Sequence, residues 1–141
     1  MFCAKEIEPK NKTIRPIVLA YLERKSDGAL LFDRGYDEVK NEYFYRALGG
    51  GIEWQETSVE ALIREFKEEI DKDIKVGEQL AIVENIFTFN GAEGHEVAFV
   101  YKAEFSNDND YNEEKFYNTE AEEKFSVWKT IAEIKAEGAK V

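Results

Sequence analysis

The chain has 141 residues, 30 acidic against 19 basic, and a formal net charge of −11. A hydrophobic content of 43% and an aromatic content of 13% fit one globular domain over residues 1–141 and exclude a disordered chain. The acidic balance excludes a surface built for DNA or RNA polymers, which need basic patches, but not a small nucleotide bridged to carboxylates by a divalent cation. The one cysteine, Cys3, cannot form an intrachain disulfide and fits a reducing compartment. No apolar run approaches the roughly 18 residues of a membrane span, and the charged start lacks the apolar core of a signal peptide. A cytoplasmic location with no membrane partner is therefore expected, with a homodimer admitted.

Residues 1–12 read as a polar lead-in. Residues 14–22 are apolar and β-branched and predict a strand, with Arg15 and Pro16 at its start, where proline is tolerated. Ser26-Asp27-Gly28 signals a turn, so residues 29–32 should return as the second strand of a hairpin. Residues 33–41 read as a charged loop, and residues 43–48 as a short strand. Arg46 in that strand is either a phosphate-contacting cation or a solvent-facing arginine. Gly49-Gly50-Gly51 follows as a tight loop. It is either an ordinary turn or a place where backbone must approach a ligand closely.

A helix is predicted over residues 58–70. Thr57 and Glu60 form a capping box, and Val59, Leu62, Ile63, Phe66 and Ile70 recur at the helical period. Glu65, Glu68 and Glu69 share a neighbouring arc. Like charges at these spacings cost a few tenths of a kcal/mol per pair, so the arc is either a plain solvated face or a hard-cation site for Mg²⁺ or Mn²⁺. Beyond the helix, Gly77 marks a turn. Residues 80–89 and 96–105 read as a long antiparallel hairpin about Asn90-Gly91, with Gly94 extending its loop. His95 at the hairpin mouth is either a base or substrate contact, or a strand-end histidine with no part in chemistry. Residues 106–123 are polar and acidic and read as a flexible loop. Residues 125–128 make a last strand, and a closing helix from Ile131 ends near Gly138.

Gly50, then Glu56 after five residues, then Arg64-Glu65-Phe66-Lys67-Glu68-Glu69 after seven more, resembles the Nudix hydrolase motif. Asp71 stands where the motif has glycine, and Lys72 where it has an apolar residue. The resemblance implies an α/β fold of the α+β type, a mixed sheet sandwiched between helices. It implies a divalent-metal-dependent hydrolase that cleaves the pyrophosphate bond of a nucleoside diphosphate linked to another group, with Mg²⁺ or Mn²⁺ as cofactor. The alternative is a catalytically silent nucleotide-binding module of the same fold. The resemblance further implies that Gly50 (through its carbonyl), Glu65, Glu68 and Glu69 hold the metal, that Glu65 and Arg64 serve catalysis, and that Arg64 orients the carboxylates. Arg46 is the candidate substrate contact. The proton acceptor is either a motif glutamate or one of Glu113, Glu114, Glu120, Glu122 and Glu123. Tyr43, Tyr45, Phe89, Tyr111 and Trp128 either stack on a base or belong to the core.

Overall fold

The computed structural model describes residues 12–121 and 123–141. The polar lead-in up to residue 11, Cys3 and Glu122 lie outside the described residues. The elements are β1 (Arg15–Arg24), β2 (Ala29–Asp37), β3 (Glu42–Ala47), β4 (Gly49–Gly51), α1 (Ser58–Ile70), β5 (Ile74–Phe89), β6 (Ala92–Phe105), a 3₁₀ turn (Asp108–Asn112), β7 (Lys115–Tyr117), β8 (Phe125–Lys129) and α2 (Ile131–Glu137). Among the described residues they form an eight-stranded sheet in the order β5-β6-β1-β2-β8-β7, with β3 on β2 and β4 on β1. β1 and β6 run parallel and the other pairs antiparallel, so the sheet is mixed.

The strand alternation decides where the two helices sit, because successive side chains leave opposite faces. On β2, Leu31 joins the cluster that holds Leu62 and Phe66 of α1, together with Val18, Leu22, Phe105, Phe116 and Trp128. Its neighbour Phe32 joins Tyr45 and Ile134 of α2 in a second cluster. The sheet therefore lies between α1 and α2. Complete burial of a residue such as Leu62 contributes about 2–3 kcal/mol.

Both helices start on reciprocal caps. The Glu60 amide donates to Thr57 Oγ1 at 3.1 Å and the Thr57 amide to Glu60 Oε1 at 2.9 Å. Thr130 and Glu133 repeat the arrangement at α2, a box that its T-x-x-E spacing would have revealed. Asp71 ends α1 in the left-handed conformation, φ 54°, and its amide donates to the Lys67 carbonyl. The aspartate thus does the work of the motif glycine, at a position where its short polar side chain is tolerated. Lys72 reaches Glu113 at 2.6 Å and Asp110 at 3.4 Å, tying the helix exit to the 3₁₀ turn.

Several local expectations change. The predicted charged loop after residue 32 is strand as far as Asp37, because Asp33 to Asp37 pair with β3. The turn begins only where Asp37 Oδ1 accepts the amides of Val39 and Lys40. β1 and β2 share only two pairs, at Glu23 and Arg24, because the preceding residues of β1 pair with β6 and β4 instead. Gly77 is not a turn but lies at a register shift within β5. Gly94 is not loop either. It sits inside β6, where a Cβ would fall 2.3 Å from the Phe87 ring. Asn90 and Gly91 do make the turn, both at positive φ. The stretch 106–123 contains the 3₁₀ turn and β7 rather than a structureless loop. β5 is an edge strand, and its apolar Leu80, Ile82, Val83 and Ile86 are exposed rather than buried.

Candidate active site

The apolar spacing of α1 predicts burial of Val59, Leu62, Ile63, Phe66 and Ile70, but the observed buried face is rotated from it. Ile63 is 42% exposed, whereas Glu65 and Glu69 are 8% and 7% exposed. The acidic arc is therefore not a plain solvated face. Glu65 lies against Gly50 of β4, Glu69 is buried near Asp33 of β2, and the Glu68 side chain remains half exposed. Burying carboxylates is costly unless they are hydrogen-bonded or bind a cation, and α1 buries two of them while it leaves Ile63 exposed.

Arg64 is the hub of that site. Its Nε and Nη2 meet both oxygens of Glu56 at 2.7 and 2.8 Å. Nη2 also donates to the Gly51 carbonyl at 3.0 Å. Nη1 donates to Glu65 at 3.0 Å and to Glu68 at 3.3 Å. The Glu56 fork is a bidentate pair of the kind that fixes geometry as well as charge. It lowers the Glu56 carboxyl from its ordinary value and raises the guanidinium. Glu56 Oε1 in turn accepts the Glu53 amide, so the loop from residue 52 to 57 is closed on itself and on the helix.

The glycine triplet is not a turn. It is strand β4, paired to β1 at Ile17, Val18 and Leu19. Glycine is needed there for close approach. A Cβ at Gly49 would fall 1.9 Å from the Val18 carbonyl oxygen, and one at Gly50 would fall 2.4–2.6 Å from the Glu65 carboxyl atoms. The Gly50→Ala substitution is therefore expected to displace the Glu65 carboxylate. A misplacement near 1 Å costs about 100-fold in rate, so kcat should fall by that order while circular dichroism still reports a folded protein.

Burial pushes the Glu69 carboxyl up to about 8, and the negative charges of Asp33 and Glu65 add to the shift. Asp33 is itself buried, which raises it, and accepts the Ser126 hydroxyl at 2.6 Å. Arg46, Asp33, Ser126 and Phe116 are consecutive cross-strand partners on β3, β2, β8 and β7 and so share one face of the sheet. Asp33, Arg46 and Ser126 line a cavity of about 230 Å³, together with Tyr36, Phe44, Ile70, Phe89, Lys124 and Phe125. Ile70 places this cavity beside the acidic end of α1. Arg46 also pairs with Glu96 at 2.9 Å.

The other candidates disperse. Of the five aromatics, only Phe89 lines the cavity, in edge contact with Phe44 at 5.3 Å. Tyr45 and Trp128 are core residues, Tyr111 stacks on Trp128, and Tyr43 lies under Arg34. Phe44, Tyr36 and Phe125 were missed, because only their pairing register assigns them to the cavity. His95 does not line it, and its Nε2 is buried with no hydrogen-bond partner among the described residues. Glu113 pairs with Lys72, and Glu114 stands 3.9 Å from Arg24. Glu123 is exposed. Glu120 follows Thr119, whose amide donates to the Glu69 carbonyl at 2.9 Å and whose hydroxyl donates to the Glu68 carbonyl. Of the described glutamates in that stretch, the chain thus tethers Glu120 next to the end of the acidic arc.

Among the described residues, no three His, Cys, Asp or Glu side chains are arranged to hold a metal ion, and Glu65 and Glu68 turn to Arg64 instead. The donor chemistry nevertheless fits a hard divalent cation. It offers carboxylate oxygens from one helix face, two of them on buried residues, beside a glycine backbone with no side chain between it and Glu65.

The sequence matches the family description NUDIX domain over residues 13–140. The MutT NUDIX hydrolase of Burkholderia pseudomallei is 30% identical over 68% of this chain and 71% of its own, with a TM-score of 0.53. The NUDIX hydrolase of Nitrosomonas europaea shares the fold at a TM-score of 0.60, with 19% identity over 89% of this chain and 78% of its own. The Ap4A hydrolase of C. elegans shares it at 0.54, with 17% identity over 87% and 86%. No curated protein matches. The chain therefore belongs to the NUDIX family, whose members cleave the pyrophosphate bond of nucleoside diphosphate derivatives, and it is a pyrophosphohydrolase of that type. No helix among the described residues is long and apolar enough to cross a membrane.

Proposed function

We propose that this pyrophosphohydrolase depends on Mg²⁺ or Mn²⁺ held by Glu65, Glu68, Glu69 and the Gly50 carbonyl. The observation that carries the reading is the burial of Glu65, against Gly50 of β4, and of Glu69, while the apolar Ile63 is left exposed. A divalent cation held there would supply Lewis-acid neutralisation of phosphate charge and would acidify the attacking water. The chain's own residues do the rest. Arg64 fixes Glu56, Glu65 and Glu68 relative to the loop, so the carboxylates need little reorganisation when charge develops. The cavity beside Ile70 receives the nucleoside side of the substrate, with Phe44 and Phe89 as apolar walls for a base. Arg46 at that cavity contacts a phosphoryl group. In the reaction the water oxygen bonds to phosphorus and the bridging P–O bond breaks. The leaving phosphate keeps the electron pair, and the water proton passes to an acceptor.

The test is release of nucleoside monophosphate or phosphate from a panel of nucleoside diphosphate derivatives with Mg²⁺ or Mn²⁺. Turnover that disappears in chelator and in Glu69→Gln supports the reading and identifies the substrate class. Nucleotide binding without turnover across the panel would point instead to a silent binding module.

A further inference from the structure

Glu96 is the most completely buried acidic side chain described, at 0% exposure, and it lies outside the motif. Its two carboxylate oxygens are divided between two arginines. Arg46 Nη2 donates to Oε1 at 2.9 Å and Arg15 Nη1 to Oε2 at 3.4 Å. The arginines come from different strands. Arg15 is the direct partner of Glu96 in the parallel β1–β6 ladder, and Arg46 lies on β3. Their side chains are partly exposed, at 23% and 18%, while the carboxylate is fully buried.

The two cations open onto two parts of one site. A Cβ at Gly51 would fall 2.8 Å from Arg15 Nη2, so the guanidinium packs on the glycine whose carbonyl Arg64 holds. Arg46 lines the cavity beside Asp33, Ile70 and Lys124. A substrate reaching from the acidic face of α1 into the cavity passes both. Arginine presents its donors in a planar fork that matches phosphoryl oxygens, and the fork discriminates only when its plane is fixed. A buried carboxylate between two guanidiniums fixes both planes.

We infer that Arg15 and Arg46 form a clamp for the diphosphate group of the substrate, and that Glu96 is the positioning residue that orients them. The inference rests on the pyrophosphohydrolase reading for its substrate and adds Arg15 and Glu96 to it. Its diagnostic feature is a sign. Removing a negative charge near an anion site strengthens anion binding if charge alone matters, whereas removing a positioning group weakens it.

The experiment is calorimetric titration of the full chain with inorganic pyrophosphate in chelator, alongside steady-state kinetics with metal. Arg46→Ala and Arg15→Ala are expected to weaken pyrophosphate binding about tenfold, the loss of one charge-assisted fork. Glu96→Gln is expected to weaken it in the same direction despite removing a negative charge, and to raise KM more than it lowers kcat. Arg15→Lys and Arg46→Lys, which keep the charge that faces Glu96, are expected to show the same KM increase with little change in Tm. They decide the matter if Glu96→Gln does not fold. Tighter binding in Glu96→Gln, unchanged KM in the lysine variants, or no pyrophosphate binding by the wild type would overturn the clamp. Turnover with pyrophosphate binding indifferent to the arginines removes the clamp and leaves the hydrolase. Arginine-dependent binding without turnover on any nucleotide does the reverse.

Discussion

Glu69→Gln is expected to abolish turnover and, at the same time, to stabilise the metal-free protein at pH 8. The first effect follows from loss of a buried carboxylate in the proposed cation site. The second follows from the carboxyl's position in the fold. Burial, with the charges of Asp33 and Glu65, raises it from an ordinary 4.5 to about 8. The folded chain therefore holds this proton more tightly than the unfolded chain. Its favourable contribution is complete below about 4.5 and is lost as pH rises toward about 8. At about 1.4 kcal/mol per unit, the loss amounts to several kcal/mol in the metal-free protein. Glutamine keeps the shape and has no proton to lose. Urea unfolding in chelator should thus show wild-type stability falling between pH 5 and 8, and a flatter profile for Glu69→Gln. Equal slopes would show that Glu69 titrates normally. A cation competes with the same proton, so Mn²⁺ affinity should rise across that interval in the wild type.

Arg64→Ala is expected to cost both stability and activity. It removes the bidentate hold on Glu56, the bond to the Gly51 carbonyl and the contacts to Glu65 and Glu68 in one step. Truncating one member of a partly buried charge cluster leaves the others unpaired and costs about 3 kcal/mol. Loss of an orienting partner lowers activity by about 10–100-fold. Arg64→Lys restores the charge but not the fork, so it should recover stability better than kcat. Glu56 adds a pH signature. Arg64 holds it below its ordinary value, so the stabilisation is present above about 4.5 and is lost as pH falls below it. In Arg64→Ala this acid-side loss should shrink. Wild-type kcat in a folded Arg64→Ala protein would show that the Arg64 contacts are only structural.

Neither of these effects was fully legible in the amino-acid order. The capping box at Thr57, the helix from residue 58 to 70, the Asn90-Gly91 turn and the motif spacing from Gly50 to Glu69 are local features. Helical period, side-chain caps and positive-φ turns act over a few residues, so the sequence alone determines them. Those same positions carry the family resemblance and hence the reaction class. What the sequence could not decide is which side of α1 faces the sheet. Apolar spacing assigned Ile63 to the core, but the close approach of Gly50 draws Glu65 inward and leaves Ile63 in solvent. The glycine triplet reads as a turn locally, and becomes a strand only because β1, distant in the chain, supplies its pairing partners.

The cavity is a tertiary product altogether. Arg46, Asp33 and Ser126 lie far apart in the chain and meet through strand register alone, and Phe44 joins Phe89 across two different hairpins. Glu96 is a single acidic residue among thirty in the sequence. Only the parallel pairing of β1 with β6 buries it between Arg15 and Arg46. Local order thus determined the motif and the helix that bears it. Long-range register, which no local period encodes, decided which charges are buried and where a diphosphate can be held.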